Sequence, residues 1–177
     1  MSGHNKWSQI KRQKGVSDAK KSKIFSKFGR LIMIEAKKAG GNLSSPSLKA
    51  VIERAKAANM PNDTIERAVK KAATDNSASM ESITYEAYGP GGCALVIETL
   101  TDNRNKAAAE VKHILSNHGF ALAGIGAASW AFEKQKEGGW IAKTTTPLSE
   151  DDLDALDKLV DELEENDEVQ EVFTNAE

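Results

Sequence analysis

The sequence predicts an α+β protein, with an N-terminal three-helix domain followed by a ferredoxin-like βαββαβ domain. Apolar residues recur at spacings of three and four through the first 75 residues, whereas from residue 92 strand-like apolar runs alternate with helical patterns. Charge divides the chain in the same way: residues 1–75 have a net charge of +11 and residues 76–177 a net charge of −13. Opposite signs indicate two domains with different tasks, which we place at 1–77 and 78–177.

Three helices are expected in the first half. The first begins at Ser17 and ends at Gly40, because glycine commonly follows a helix C-terminus. The second begins at Ser45, with a proline in its first turn, and is broken over 59–61. A capping box over 63–66 predicts the start of the third. The apolar stripe of the first helix consists of Ile24, Phe25, Phe28, Leu31, Ile32 and Ala36.

Residues 74–82 have the composition of a linker, and strands and helices alternate after them. The first predicted strand is apolar on both faces, which is typical of a central strand. Ser149 is predicted to cap the second helix, which is strongly acidic. The predicted strands cover 92–100, 121–132, 140–145 and 169–174. The predicted helices cover 106–118 and 153–163. The first of these helices is expected to bury Ala109, Val111, Ile114 and Leu115.

The first forty residues carry 11 Lys and Arg against two acidic residues, a net charge of +9. A segment with this charge favours binding to the phosphates of nucleic acid. Neutralising phosphates releases counterions, and the resulting affinity for nucleic acid does not depend on base sequence. Trp7 either stacks on a base or packs onto the helices. The alternative for the segment is a solvated basic face. The predicted nucleic-acid contacts are His4, Lys6, Trp7, Lys11, Arg12, Lys14, Lys20, Lys21, Lys23, Lys27 and Arg30.

A second nucleic-acid contact is predicted at the turn over 101–105, where a strand ends and a helix begins. Free backbone N–H groups and the positive end of the helix dipole are available to an anion there. Arg104 offers a planar fork that matches phosphate, and Asn103 and Asn105 flank it. The alternative is that Asp102 or Asn103 only caps the helix.

Catalysis is not predicted. The glycine-rich stretches over 89–92 and 124–129 lack the residues of a P-loop or a full dinucleotide fingerprint, and His113 and His118 are five residues apart, which separates them on a helix. Cys93 lies in an apolar run and is interpreted as a core thiol. No apolar run approaches a membrane span and no secretory signal is recognised. We therefore expect a cytoplasmic, preferentially monomeric protein without metal, cofactor, small-molecule substrate or membrane partner.

Five stretches of the chain form recognisable motifs: Gly3-His4-Asn5-Lys6-Trp7, 58–61 with 65–68, 85–92, Thr101-Asp102-Asn103-Arg104-Asn105, and 167–170 with 172–175. Together they resemble the YebC/PmpR family, whose members are described as probable transcriptional regulatory proteins and include a mitochondrial translational activator; Asn5 and Ala87 depart from the family pattern. The family usually inserts a further small domain where this chain has only 134–139, so the chain resembles a short form.

These observations predict a non-enzymatic, nucleic-acid-binding regulator of gene expression. The resemblance implies a DNA-binding transcriptional regulator. An extended basic arm with an aromatic residue instead favours ribosomal or transfer RNA, and hence a translation factor. A third hypothesis is a protein adaptor that acts through the acidic helix, since residues 150–177 hold 13 acidic residues and one lysine, Lys158.

Overall fold

The computed structural model describes residues 18–75, 79–136 and 138–177. It confirms the predicted α+β class, with a helical region followed by a β-containing region. The described chain divides into two compact units, a helical unit that comprises the described residues up to Met80 together with Lys136 and Gly138, and a sheet unit of 81–135 and 139–177. The elements are α1 Asp18–Lys38, α2 Pro46–Ala57, α3 Asn62–Thr74, β1 Glu81–Tyr88, β2 Ala94–Thr101, α4 Arg104–Asn117, β3 Leu122–Ala123, β4 Phe132–Lys134, β5 Trp140–Ala142, α5 Glu150–Glu165 and β6 Val169–Thr174.

The three helices of the helical unit form where the apolar periodicity predicts them. Ser45 occupies the N-cap position of α2 and Pro46 its first turn, as expected. The capping box predicted for α3 is wrong: Pro61 is the N-cap residue, no side chain caps the helix, and Asp63 instead lies 3.6 Å from Arg67 one turn later. The helices enclose a small core of Ile32, Ala36, Leu48, Val51, Ala55, Met60, Ile65 and Ala72.

The sheet unit is built on four strands in the order β3-β1-β2-β6, and all neighbouring strands are antiparallel. β2 is buried along almost its whole length, as its apolar sequence predicts. Helices α4 and α5 pack on one face of the sheet, with a core that includes Leu95, Ile97, Val111, Leu115, Leu156 and Leu159. The β4–β5 hairpin belongs to the other face, where the core consists of Ala94, Val96, Ala128, Ala131 and Phe132.

Strand β1 is a correction to the sequence analysis, which assigned residues 74–82 to a linker and no strand to 83–88. In the structure β1 lies between β2 and β3. Helix α4 links β2 to β3, so this connection passes β1. The strand was not recognised in the sequence because its inward-pointing residues include the polar Thr84 and Glu86, which are hydrogen-bonded inside the fold. A strand with satisfied buried polar residues lacks the apolar pattern by which strands are recognised.

The strand predicted over 121–132 is also wrong. Only Leu122–Ala123 pairs with β1, and the chain then turns, with Gly126 at φ +84°. The strand predicted over 140–145 shortens to β5, which pairs with β4 outside the main sheet. In α4 the predicted inward Ala109 is exposed and Ala107 is buried in its place.

Candidate nucleic-acid interface

Helix α1 carries its cations on the side opposite its core contacts. Each residue advances the helix by about 100°, so spacings of three, four and three place Lys20, Lys23, Lys27 and Arg30 in one stripe. Ile32 and Ala36, which are buried, lie on the opposite side. Lys20 is exposed, whereas the other three are half-buried. We call these four residues the α1 basic stripe: Lys20, Lys23, Lys27 and Arg30.

Carboxylates are scarce on this helix. Asp18 and Glu35 are the acidic residues of α1, and Glu35 is bonded to Lys38 at 3.1 Å. Arg30 reaches the end of the helical unit, where one of its guanidinium nitrogens lies 3.7 Å from the Met80 sulfur. The positive potential of α1 is therefore not cancelled by acidic side chains of the same helix.

The sequence analysis missed basic residues on the other two helices. Lys49 on α2 and Lys70 and Lys71 on α3 are exposed, and residues 18–75 together hold 13 Lys and Arg against six acidic residues. Arg54 has a packing role, since its guanidinium lies 6.0 Å from the Phe28 ring centroid. Charge counted helix by helix could have found these lysines. The predicted contacts His4, Lys6, Trp7, Lys11, Arg12 and Lys14 lie outside the described residues.

Lys21 also lies in α1 but away from the basic stripe. It is exposed and follows Lys20 by one residue, which places it about 100° around the helix. A phosphate backbone lying along the stripe would therefore not reach Lys21 with the same orientation.

The turn over 101–105 lies at the start of α4, in the sheet unit. The Asn103 side chain accepts a hydrogen bond from the Lys106 backbone N–H at 3.0 Å, so Asn103 caps the helix. The Thr101 hydroxyl accepts from the Asn103 N–H at 2.9 Å and secures the turn. This is the capping role that the sequence analysis gave as its alternative. Asn105 is exposed in the first turn.

Arg104 holds a carboxylate in its fork. Its Nε lies 3.1 Å from Glu81 Oε1 and its Nη2 lies 2.7 Å from Glu81 Oε2, so the contact is bidentate. The hydrogen bonds from Arg104 lower the pKa of the Glu81 carboxyl, and Glu81 raises the pKa of the Arg104 guanidinium. A phosphate that binds Arg104 must therefore replace Glu81.

Changing Arg104→Gln is expected to raise the pKa of Glu81 toward its ordinary value, because the lowering comes mainly from Arg104. The ion pair is complete above the unfolded-state pKa of Glu81 and is lost as the pH falls through the lower folded-state pKa. A ¹³C NMR titration of the Glu81 carboxyl measures this change. Lys112→Gln, on the same helix, serves as the control and should leave the titration unaltered. An identical Glu81 pKa in wild type and Arg104→Gln would contradict the pairing.

The glycine-rich segment over 124–129 binds a carboxylate of its own chain. Glu86, buried on β1, accepts hydrogen bonds from the backbone N–H groups of Gly126 at 2.7 Å, Ala128 at 3.0 Å and Ser129. Burial raises the pKa of Glu86, but the hydrogen bonds outweigh burial and the net pKa is lowered. These N–H groups, which could otherwise have faced a ligand phosphate, thus hold the segment onto β1.

Cys93, His113 and His118 are each buried or bonded to a neighbouring side chain. Cys93 is fully buried, and burial raises the pKa of its thiol, consistent with a core residue. His118 lies 2.6 Å from Glu162, and His113 lies 3.3 Å from Asn117. The described residues contain no group of His, Cys, Asp and Glu side chains arranged to hold a metal ion.

None of the helices within the described ranges combines the length and apolar character needed to cross a membrane.

Comparison with known proteins matches both halves of the chain. Residues 5–75 match the TACO1/YebC protein N-terminal domain. Residues 80–138 and 134–176 match the TACO1/YebC second and third domain, in two segments that overlap at 134–138, where the resemblance predicts that an insertion is absent.

Several curated relatives bear the name probable transcriptional regulatory protein. One from Fervidobacterium nodosum is 46% identical over 171 residues, covering 96% of this chain and 68% of the relative. One from Petrotoga mobilis is 46% identical over 185 residues, covering 100% and 71%. One from Thermosipho africanus is 51% identical over 137 residues, covering 76% and 54%. The crystal structure of a conserved hypothetical protein from Aquifex aeolicus is similar with a TM-score of 0.75 and 29% identity, covering 90% of this chain and 91% of that one.

Proposed function

Because this chain belongs to the TACO1/YebC family, we propose that it is a non-enzymatic regulator of gene expression that binds nucleic acid through its helical unit. The resemblance drawn from the sequence motifs is confirmed by the family matches. The names of the curated relatives support a regulatory role for the family. The proposal adds the binding surface and the kind of target.

The α1 basic stripe is the observation that carries this proposal. Its four cations project from one side of a helix whose opposite side is fixed in a core, so their positions are set by the fold. The exposed lysines of α2 and α3 add to the positive charge. Cations held on a folded surface bind phosphates at a lower entropic cost than cations on a free chain, because fewer torsions are immobilised on binding.

We place the nucleic-acid-binding domain at 1–77, including the N-terminal arm, and the acidic domain at 78–177. Asn103, Arg104 and Asn105 form a secondary contact in the proposal, subject to displacement of Glu81. The protein acts in the cytoplasm as a monomer and needs neither cofactor nor small-molecule substrate.

Two kinds of target fit the basic stripe. The names of the relatives support duplex DNA and transcription. The side chains of α1 support structured RNA and translation, because the helix lacks the row of Asn, Gln and Arg with which a recognition helix reads base edges in the major groove, and its one arginine, Arg30, is half-buried. The exposed polar residues of α1 are Asp18, Lys20, Lys21, Ser22, Ser26, Lys37 and Lys38.

Gradient sedimentation of cell lysate at low and moderate salt separates the two targets. Wild type is compared with a variant in which Lys20, Lys23, Lys27 and Arg30 are changed to glutamine, with and without RNase or DNase. Migration with ribosomes that RNase abolishes, and that the variant lacks, would assign the protein to translation. A DNase-sensitive shift with no ribosome association would assign it to transcription. If the variant migrates like wild type in every sample, the basic stripe is not the binding surface.

A further inference from the structure

An apolar cluster lies exposed on the sheet unit, where loops are normally polar. Ile125 is fully exposed, Trp130 is 56% exposed and Tyr88 is 39% exposed. The segment over 121–131 that contains two of them has no charged residue. Exposed aromatic and aliphatic side chains grouped in this way mark binding surfaces more often than isolated ones do.

Internal hydrogen bonds hold this cluster in place. The Trp130 indole N–H donates to the Tyr88 hydroxyl at 2.9 Å, and the Tyr88 hydroxyl donates to the Ala127 carbonyl. Glu86 binds three backbone N–H groups of the same segment. The polar atoms of both aromatic rings are thus used within the protein, and what Trp130 offers to a ligand is its ring. An aromatic ring fixed in advance loses little conformational freedom when it stacks.

A lysine borders the cluster. The Lys143 backbone N–H donates to the Ala131 carbonyl at 2.8 Å, which places the Lys143 main chain next to the residue that follows Trp130, and the Lys143 residue is exposed. Lys134, on the adjoining strand β4, lies with its ammonium 5.4 Å from the Trp140 ring centroid. The main chain of an exposed lysine, Lys143, therefore lies one residue from Trp130, within the reach of a lysine side chain.

Most of the acidic charge of the sheet unit lies on α5, although the Glu86 carboxylate bonds the segment that carries Trp130 and Glu177 bonds Thr145 near Lys143. Residues 149–177 contain 13 acidic residues and one lysine, whereas residues 119–148 contain three lysines and two glutamates. Helix α5, which carries most of the acidic residues, packs on one face of the sheet. Ala128, Ala131 and Phe132 pack on the other face. A phosphate near Lys143 is thus on the face that α5 does not cover.

We propose that Tyr88, Ile125, Trp130 and Lys143, here called the Trp130 surface, bind an unpaired nucleotide. Trp130 stacks on the base, Ile125 packs against the base or its neighbour, and Lys143 contacts the phosphate. This inference rests on the proposed function and narrows its target to nucleic acid that contains unpaired bases. A base is favoured over a protein side chain, because the surface pairs a ring whose N–H is already bonded with a cation, the combination that single-strand binders use.

Fluorescence anisotropy with three labelled probes of equal length tests the proposal: a single-stranded RNA, a single-stranded DNA of the same sequence, and the RNA in a complete duplex. Trp130→Ala is expected to weaken binding to single strands by about tenfold, the usual effect of losing one stacked base. Its affinity for the duplex should stay unchanged. Trp130→Phe should retain most of the single-strand affinity, and Lys143→Gln should weaken the two single-stranded probes by about threefold through one lost phosphate contact. The two single strands show whether RNA or DNA is preferred.

The same titration with the glutamine variant of the α1 basic stripe separates this inference from the proposed function. Two results together support both the inference and the proposed function: the stripe variant loses affinity for all three probes, and Trp130→Ala loses affinity for the single strands alone. Equal affinities of wild type and Trp130→Ala for single strands overturn the inference and leave the Trp130 surface to a protein partner. Equal weakening of all probes by a Trp130→Ala protein whose thermal denaturation matches that of wild type also overturns it. If Trp130→Ala is unfolded, Lys143→Gln decides in its place, and equal affinities of wild type and Lys143→Gln for single strands overturn the inference. Wild type that binds no probe overturns both proposals.

Discussion

Changing Lys20, Lys23, Lys27 and Arg30 to glutamine is expected to weaken nucleic-acid binding on the order of 10²–10³-fold at 0.1 M salt, because four counterion-releasing contacts are removed. The stripe lies opposite the buried residues Ile32 and Ala36 of α1, and thermal denaturation of the variant checks that the loss does not come from unfolding, since three of the four residues are half-buried. Glutamine keeps the helix propensity close to that of lysine and arginine. Electrophoretic mobility shift with duplex DNA and with a structured RNA measures the loss for each target.

A matched pair of variants distinguishes the position of the charge from the total charge. Lys20→Gln with Lys27→Gln and Lys112→Gln with Lys158→Gln both lower the net charge by two, but the second pair lies on α4 and α5. The first pair should lower the affinity at least about tenfold, and the second by less than about twofold. Equal losses in the two pairs would mean that net charge, and not the stripe, determines binding.

Changing Glu86→Ala is expected to destabilise the sheet unit by about 1–3 kcal/mol, because the buried Ala128 N–H loses a charged acceptor, whereas the less buried N–H groups of Gly126 and Ser129 can bond to water. Glu86 is 6% exposed and its carboxylate is the hydrogen-bond acceptor for Gly126, Ala128 and Ser129. Urea unfolding measures the free energy of unfolding. Glu133→Ala removes an exposed carboxylate from β4 and should change the stability by less than about 0.5 kcal/mol.

The contribution of Glu86 should also depend on pH. Its folded-state pKa is lowered, so its stabilisation is complete above the unfolded-state pKa, about 4.3, and is lost as the pH falls through the folded-state value. Glu86→Gln cannot ionise, and its stability should lack this component. The difference in unfolding free energy between wild type and Glu86→Gln should therefore shrink as the pH is lowered from 6 to about 3. A constant difference would show that ionised Glu86 is not the stabilising form.

The elements that the sequence predicts well are those whose signals are local. Helices α1 and α2 follow from their apolar periodicity and from glycine or proline at their ends. Strand β2 follows from an apolar run that is buried on both faces. The basic stripe is equally local, because it needs only the helix period and the positions of four cations.

The features that the sequence analysis missed depend on contacts between distant residues. Glu86 is separated by 40 residues or more from the N–H groups that it binds. As long as these partners are unknown, a glutamate within β1 argues against assigning a central strand, because a buried carboxylate needs hydrogen-bond donors. The same contacts turn the segment over 124–129 away from the strand predicted there. Arg104 was predicted to face phosphate, but its pairing with Glu81 spans 23 residues and has no local signal. Trp130 was assigned to a strand and so was not considered as a binding residue.

The dependence of wild-type affinity on salt tests the central claim most directly, because the slope counts the phosphates that the protein neutralises. If the four cations of the α1 basic stripe contact phosphates, log K against log salt concentration should fall with a slope of at least about −3 to −4 on duplex DNA, or at least about −3 on single strands. In the glutamine variant the slope should be less steep by about 3 to 4 on duplex DNA, and any remaining slope comes from the other basic contacts. A wild-type slope near zero, or a variant slope equal to that of wild type, would contradict nucleic-acid binding through this helix.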